Sequence, residues 1–162
     1  MDRDSVTHFC MASPFSSSET KNAMDFSLKQ IQVLDKFSKI KMSDFYFDNY
    51  DKVWLFKNPG HMGNELFSEY VYRTGSFFGI NIDMRERDKV KKYTPDMMSD
   101  SPIYPQVEDD LSLSFLAKDQ KYRVRNSLVS NKVIKEFCFK DYISWLYDFY
   151  IFEKEYEMGK AH

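Results

Sequence analysis

Apolar residues return at steps of three and four between residues 20 and 41. Leu28, Ile31, Leu34 and Phe37 share a face, with Val33 and Ile40 at its edge, while Lys29, Asp35, Lys36 and Lys39 fall opposite. The spacing predicts an amphipathic helix over 20–41, opened by Ser18-Glu19 or by Asp25. Two aromatic runs, Asp44–Phe47 and Val53–Lys57, flank an Asp/Asn turn and read as a hairpin that Asn58-Pro59-Gly60 ends. Leu66, Phe67, Tyr70 and Val71 predict a short helix over 64–73 with Gly75 as its stop. The unbroken apolar run Phe77-Phe78-Gly79-Ile80-Asn81-Ile82 reads as a buried strand.

Residues 93–110 hold Pro95, Pro102 and Pro105 among acids and are expected to form a long acidic loop, a length that in compact domains goes with function or motion. Leu111–Phe115 and Lys121–Arg125 both alternate and are expected to pair as a second hairpin. Leu128, Val133, Ile134 and Phe137 suggest a helix over 127–137, followed by another over 140–157. The turn-forming cluster Ser13–Ser18 marks residues 1–18 as a partly ordered N-terminal arm, with 19–162 as a single globular α+β domain. The expected fold is two β-hairpins plus a central strand, packed against an N-terminal helix and a C-terminal helical pair.

The C-terminal helix changes the picture from fold to function. Phe139, Tyr142, Ile143, Leu146, Phe149 and Tyr150 already make a core stripe, and Trp145, Tyr147, Phe152 and Tyr156 fall outside it. A helix apolar nearly all round is either enclosed or has a second partner, and aromatics are the residues from which interface hot spots are built. Trp145, Tyr147, Phe152 and Tyr156 are therefore candidate anchors for a protein partner or for a homo-oligomer. Aromatics make up 17% of the chain, enough to build a core without disulfides or metals.

Formal charge is near balance at −2, but it is segregated. Residues 85–92 and 118–135 are basic, whereas 93–112 and 136–162 are acidic. The acids Glu108, Asp109 and Asp110 are placed to steer the chain toward a basic surface. In a strand, Lys121, Arg123 and Arg125 would share one face at roughly phosphate spacing. With Lys132, and with Tyr72 or Tyr93 for stacking, they form the alternative of a nucleic-acid binder. Solvated faces account for most such charge runs.

Catalytic patterns are sparse. His8, His61 and His162 make no metal-ligand spacing, no Ser sits in GxSxG, and Asn58–Asn64 lacks the lysine of a phosphate loop. Cys10 and Cys138 form no CxxC pair. A small hydrolase or transferase around His61, with Glu65 and Glu69 one helical turn apart, is the second alternative. No cofactor and no metal are expected. No run reaches the roughly 18 apolar residues of a membrane span, and the first residues carry no basic-then-apolar leader, so the expectation is a cytoplasmic protein.

The chain is rich in Phe, Tyr, Met and Lys and has only four alanines. In this composition and in its small size it resembles the early host-takeover proteins of T4-like phages. That resemblance implies a non-catalytic protein in the host cytoplasm that binds and inhibits or modulates a larger host machine, such as RNA polymerase, a protease or a defence enzyme. It assigns no residue.

Overall fold

The computed structural model describes residues 2–12, 14–58, 61–93, 99–125 and 133–160. Of residues 90–93, 125, 133, 134, 152, 153 and 155–160 it describes the backbone alone. The described residues form a mixed α+β structure of helices α1 (Arg3–Met11), α2 (Ser17–Phe37), α3 (Ser43–Asn49), α4 (Asn64–Phe77), α5 (Met84–Tyr93), α6 (Pro105–Leu111) and α7 (Phe139–Lys160). The strands are β1 (Phe56–Asn58), β2 (His61–Met62), β3 (Tyr122–Arg125) and β4 (Val133–Phe137). They make two separate antiparallel pairs, β1 with β2 and β3 with β4.

Half of the expected N-terminal arm, Arg3–Met11, is a docked helix. The Asp2 carboxylate accepts the Ser5 N–H at 2.8 Å and caps α1. The helix then lies on α7, where the Thr7 and Ser144 hydroxyls meet at 3.2 Å and Arg3 pairs with Asp148 at 3.1 Å. Helix α2 opens on a reciprocal cap. Ser16 Oγ accepts the Glu19 N–H, and Glu19 accepts the Ser16 N–H at 2.7 Å.

The predicted 44–57 hairpin is not formed, because α2 reaches forward. Asp35, near its C-terminal end, is buried and accepts the Met42 N–H at 3.0 Å and the Ser43 N–H at 2.7 Å. These two N–H groups are otherwise unpaired at the start of a helix. A carboxylate from eight residues back thus caps α3, and Ser43–Asn49 coils despite its β-prone aromatics. Met42, Leu55 and the fully enclosed Leu66 of α4 make one small core, with Phe45, Tyr46 and Val53 against it. Full burial of a leucine contributes about 2 kcal/mol.

The second core gathers around the other hairpin. Strand β3 is where alternation placed it, but its partner is β4 in the register Tyr122↔Phe137 and Val124↔Lys135, not 111–115. Leu111 ends α6, and 112–115 turn back instead of pairing. Val133–Phe137, expected as helix, is strand, and the C-terminal helical pair reduces to α7 among the described residues. Tyr122, Val124 and Phe137 face Phe139, Tyr142 and Ile143 of α7, and Cys10 of α1 closes the cluster.

An extended segment, 99–103, sews the two hairpins together. Ser101 donates its N–H to the Lys57 carbonyl (2.6 Å), Asp100 donates to the Arg123 carbonyl (2.9 Å), and the Tyr122 hydroxyl donates to the Ile103 carbonyl (3.3 Å). The expected long acidic loop is therefore this seam followed by α6, with 94–98 outside the described residues.

Candidate interaction surface

The segment read as a buried strand, Phe77–Ile82, is an exposed corner between α4 and α5. Gly75, expected to stop α4, lies buried inside it, and the helix runs on to Phe77. The stop is Gly79, at φ +73, a conformation that costs a residue with a β-carbon roughly 1–2 kcal/mol. Its N–H goes to the Ser76 carbonyl at 3.1 Å, and the Ile80 N–H goes to the Gly75 carbonyl at 2.9 Å. This paired closure satisfies the last carbonyls of the helix and turns the chain sharply. Ile82 then folds back onto the notch at Gly75, where a β-carbon would collide with the Ile82 side chain.

The result is a fixed apolar knuckle. Phe77, Phe78, Ile80 and Met84 are each more than half exposed, and the two phenylalanine rings meet edge to face with centroids 5.1 Å apart. Charged contacts behind it hold the two helices in place. The buried Glu69 accepts from Arg73 at 2.6 Å and pairs with Arg87 of α5 at 3.1 Å, while the Arg87 guanidinium lies 5.9 Å from the Tyr72 ring centroid. Arg73 also grips Asp44 of α3 through both carboxylate oxygens, which holds the Asp44 carboxyl below its ordinary value. No signal in the sequence marked the knuckle, because an apolar run around a glycine reads equally well as strand. The observation that finds it is the positive φ of Gly79.

The predicted anchors on α7 are divided. Trp145 is half-buried. It stacks on Phe137 (5.6 Å) and on Phe149 (5.7 Å) and meets Tyr142 edge-on, which makes it a wall of the core. Tyr147 is half-buried too. Phe152 and Tyr156 lie on α7, but their side chains are outside the described residues. Among the described side chains of α7, the exposed large apolar ones are Leu146, Phe149 and Tyr150.

The charged candidates are likewise divided. Asp110 fastens α6 to the start of α2 through Ser17, which lowers its carboxyl pKa. Asp109 is exposed and Glu108 is half-buried. Arg123 turns from solvent to Asp100, which is 1% exposed, through Nε at 3.0 Å and Nη2 at 3.2 Å. Lys121 is exposed, Arg125 and Tyr93 are described as backbone only, and Lys132 lies outside the described residues.

His61 is exposed, and its Nδ1 pairs with Asn58 Oδ1 at 2.7 Å. Of the two acids expected beside it, Glu65 is half-buried and Glu69 is committed to Arg73 and Arg87. Among the described residues no group of three or more His, Cys, Asp or Glu could hold a metal ion, and no helix is long and apolar enough to cross a membrane.

An open groove of about 440 Å³ runs along the inner side of α2 between Met24, Leu28 and Ile31 and the opposing Tyr50, Trp54 and Phe115. Its walls are apolar and hold no ionised side chain. Comparison of the chain with protein-family models, with curated proteins and with solved structures finds no match.

Proposed function

We propose that this chain is a non-catalytic interaction protein that binds and modulates a larger protein partner, with the α4–α5 knuckle as its contact point. The observation that carries the reading is the set of side chains Phe77, Phe78, Ile80 and Met84, held outward by a closed helix terminus instead of covered by the chain's own core. Exposed aromatics presented on a fixed backbone lose little conformational freedom on binding, the property that makes such residues hot spots. One residue of each alternative is engaged elsewhere, Arg123 with Asp100 and Glu69 with Arg73 and Arg87, which favours the interaction reading over both.

The test is capture of partners from the native cell with the tagged parent chain and with a Phe77→Ser/Phe78→Ser variant. Both rings are exposed, so the variant is expected to unfold at the parent's temperature and to lose a partner that the parent retains. Retention of every partner by a folded variant would overturn the reading.

A further inference from the structure

Helix α2 is apolar on two opposite sides, and only one of them is covered. At about 100° per residue, Thr20, Met24, Leu28, Ile31 and Asp35 fall on the inward side, where the burial lies. Phe26, Gln30, Val33 and Phe37 fall within about 60° of one another on the opposite side, with Leu34 at the edge. Phe26 is 64% exposed, Leu34 65% and Phe37 85%. The spacing of 26, 30, 33 and 37 is the four–three–four step of a helix-pairing seam.

We infer that this outward face pairs antiparallel with the same face of a second copy of the chain. The argument is self-complementarity in sequence order. Asp25 and Lys36 lie on the same flank of the seam, equally far from a point between Gln30 and Ile31, and neither makes an ion pair among the described residues. When two copies of α2 run in opposite directions about a two-fold axis near Gln30, Asp25 of each faces Lys36 of the other. Phe26 then meets Leu34 and Phe37 of the second copy, and Lys29 meets the neutral Gln32. The two Gln30 amides face each other at the axis, and each can both donate and accept. A two-fold contact of this kind repeats every pair twice. The parallel alternative places Lys29 and Lys36 beside Ser27 and Leu34 and gains no ion pair. The surface is separate from the α4–α5 knuckle, so this inference and the proposed function fail independently.

The experiment is sedimentation of the full chain over a wide concentration range, with folding of each variant checked by circular dichroism. The parent is expected to form a dimer, and Phe26→Ser/Phe37→Ser to abolish it. Asp25→Lys alone and Lys36→Asp alone should each weaken the dimer about tenfold, because each exposed pair is lost twice and replaced by repulsion. The doubly exchanged chain, Asp25→Lys with Lys36→Asp, should recover parental affinity. Gln30→Cys should cross-link to itself on mild oxidation to an extent the parent does not reach. A monomer at every concentration overturns the inference and leaves the face to a different protein. A dimer indifferent to Phe26→Ser/Phe37→Ser, or one that the double exchange fails to rescue, overturns it as well.

Discussion

The Asp100 carboxylate takes three hydrogen bonds from Arg123: from its backbone N–H at 2.9 Å, from Nε at 3.0 Å and from Nη2 at 3.2 Å. Lys57 approaches the same carboxylate at 3.8 Å, so β1 and β3 are tied to one buried acid. Removing one member of a buried ion pair strands the other. Asp100→Ala is therefore expected to cost about 3 kcal/mol. Replacing Asp100 and Arg123 together by leucine and methionine should recover much of that loss. Urea denaturation midpoints of the parent and the two variants decide the matter.

Asp35 ties stability to pH. Burial by itself would raise its carboxyl, but the hydrogen bonds from Ser43 and Met42 and the charge of Lys41 outweigh it and hold the group below its ordinary value of 3.8. A carboxyl depressed in the folded state adds stability that is complete above its unfolded value and is lost as pH falls through its folded value. The parent should exceed Asp35→Ala by about 1–2 kcal/mol at neutral pH, the usual worth of a helix cap. That advantage should persist down to about pH 5 and vanish below the ordinary carboxylate range. Denaturation of both chains at neutral and strongly acidic pH reads it directly.

The corner after α4 rests on two glycines for different reasons. Gly79→Ala strains the backbone at positive φ and should cost about 1–2 kcal/mol wherever its side chain points, since its surroundings are open. Gly75→Ala compresses Ile82, so its penalty should shrink in an Ile82→Ala background. A double-mutant cycle in thermal stability is expected to show coupling between 75 and 82 and none between 79 and 82.

Trp145 should behave as core, not as a contact. Stacked between Phe137 and Phe149, it is expected to cost about 2–3 kcal/mol when replaced by alanine, somewhat below the value for a fully enclosed tryptophan. Tyr150→Ser on the same helix, exposed to solvent, should stay within about 0.5 kcal/mol of the parent. Chemical denaturation separates the two.

Elements that announce themselves by period were legible from residues alone. Helix α7 and the start of α4 lie where apolar spacing places them, α2 does so as far as Phe37 but not over the expected residues 38–41, and β3 lies where alternation does. Elements decided by a distant partner were not. Ser43–Asn49 is helical because Asp35 supplies its cap from another helix, and no local pattern contains that fact. The partner of β3 is not legible locally, because Leu111–Phe115 alternates as well as Val133–Phe137 and only packing against α7 distinguishes them. The two-sided character of α2 was hidden for a related reason. Leu28, Ile31, Leu34 and Phe37 form one plausible stripe, yet the fold turns the first two inward and leaves the last two outside. For the candidate surface, an excess of large apolar residues was visible, but the helix that would display them was not.

The two tryptophans of the chain are joined by a relay of touching rings. Trp54 meets Tyr122 with centroids 6.0 Å apart, Tyr122 meets Tyr142 at 6.1 Å, and Tyr142 meets Trp145 at 5.7 Å. Indole emission, fed by those phenols, is thus a gauge of the junction between the hairpins and α7. It is blind to Phe37 and Phe78, which lie outside the relay. Light from the unlabelled chain can certify an intact interior while either outer surface is altered or occupied.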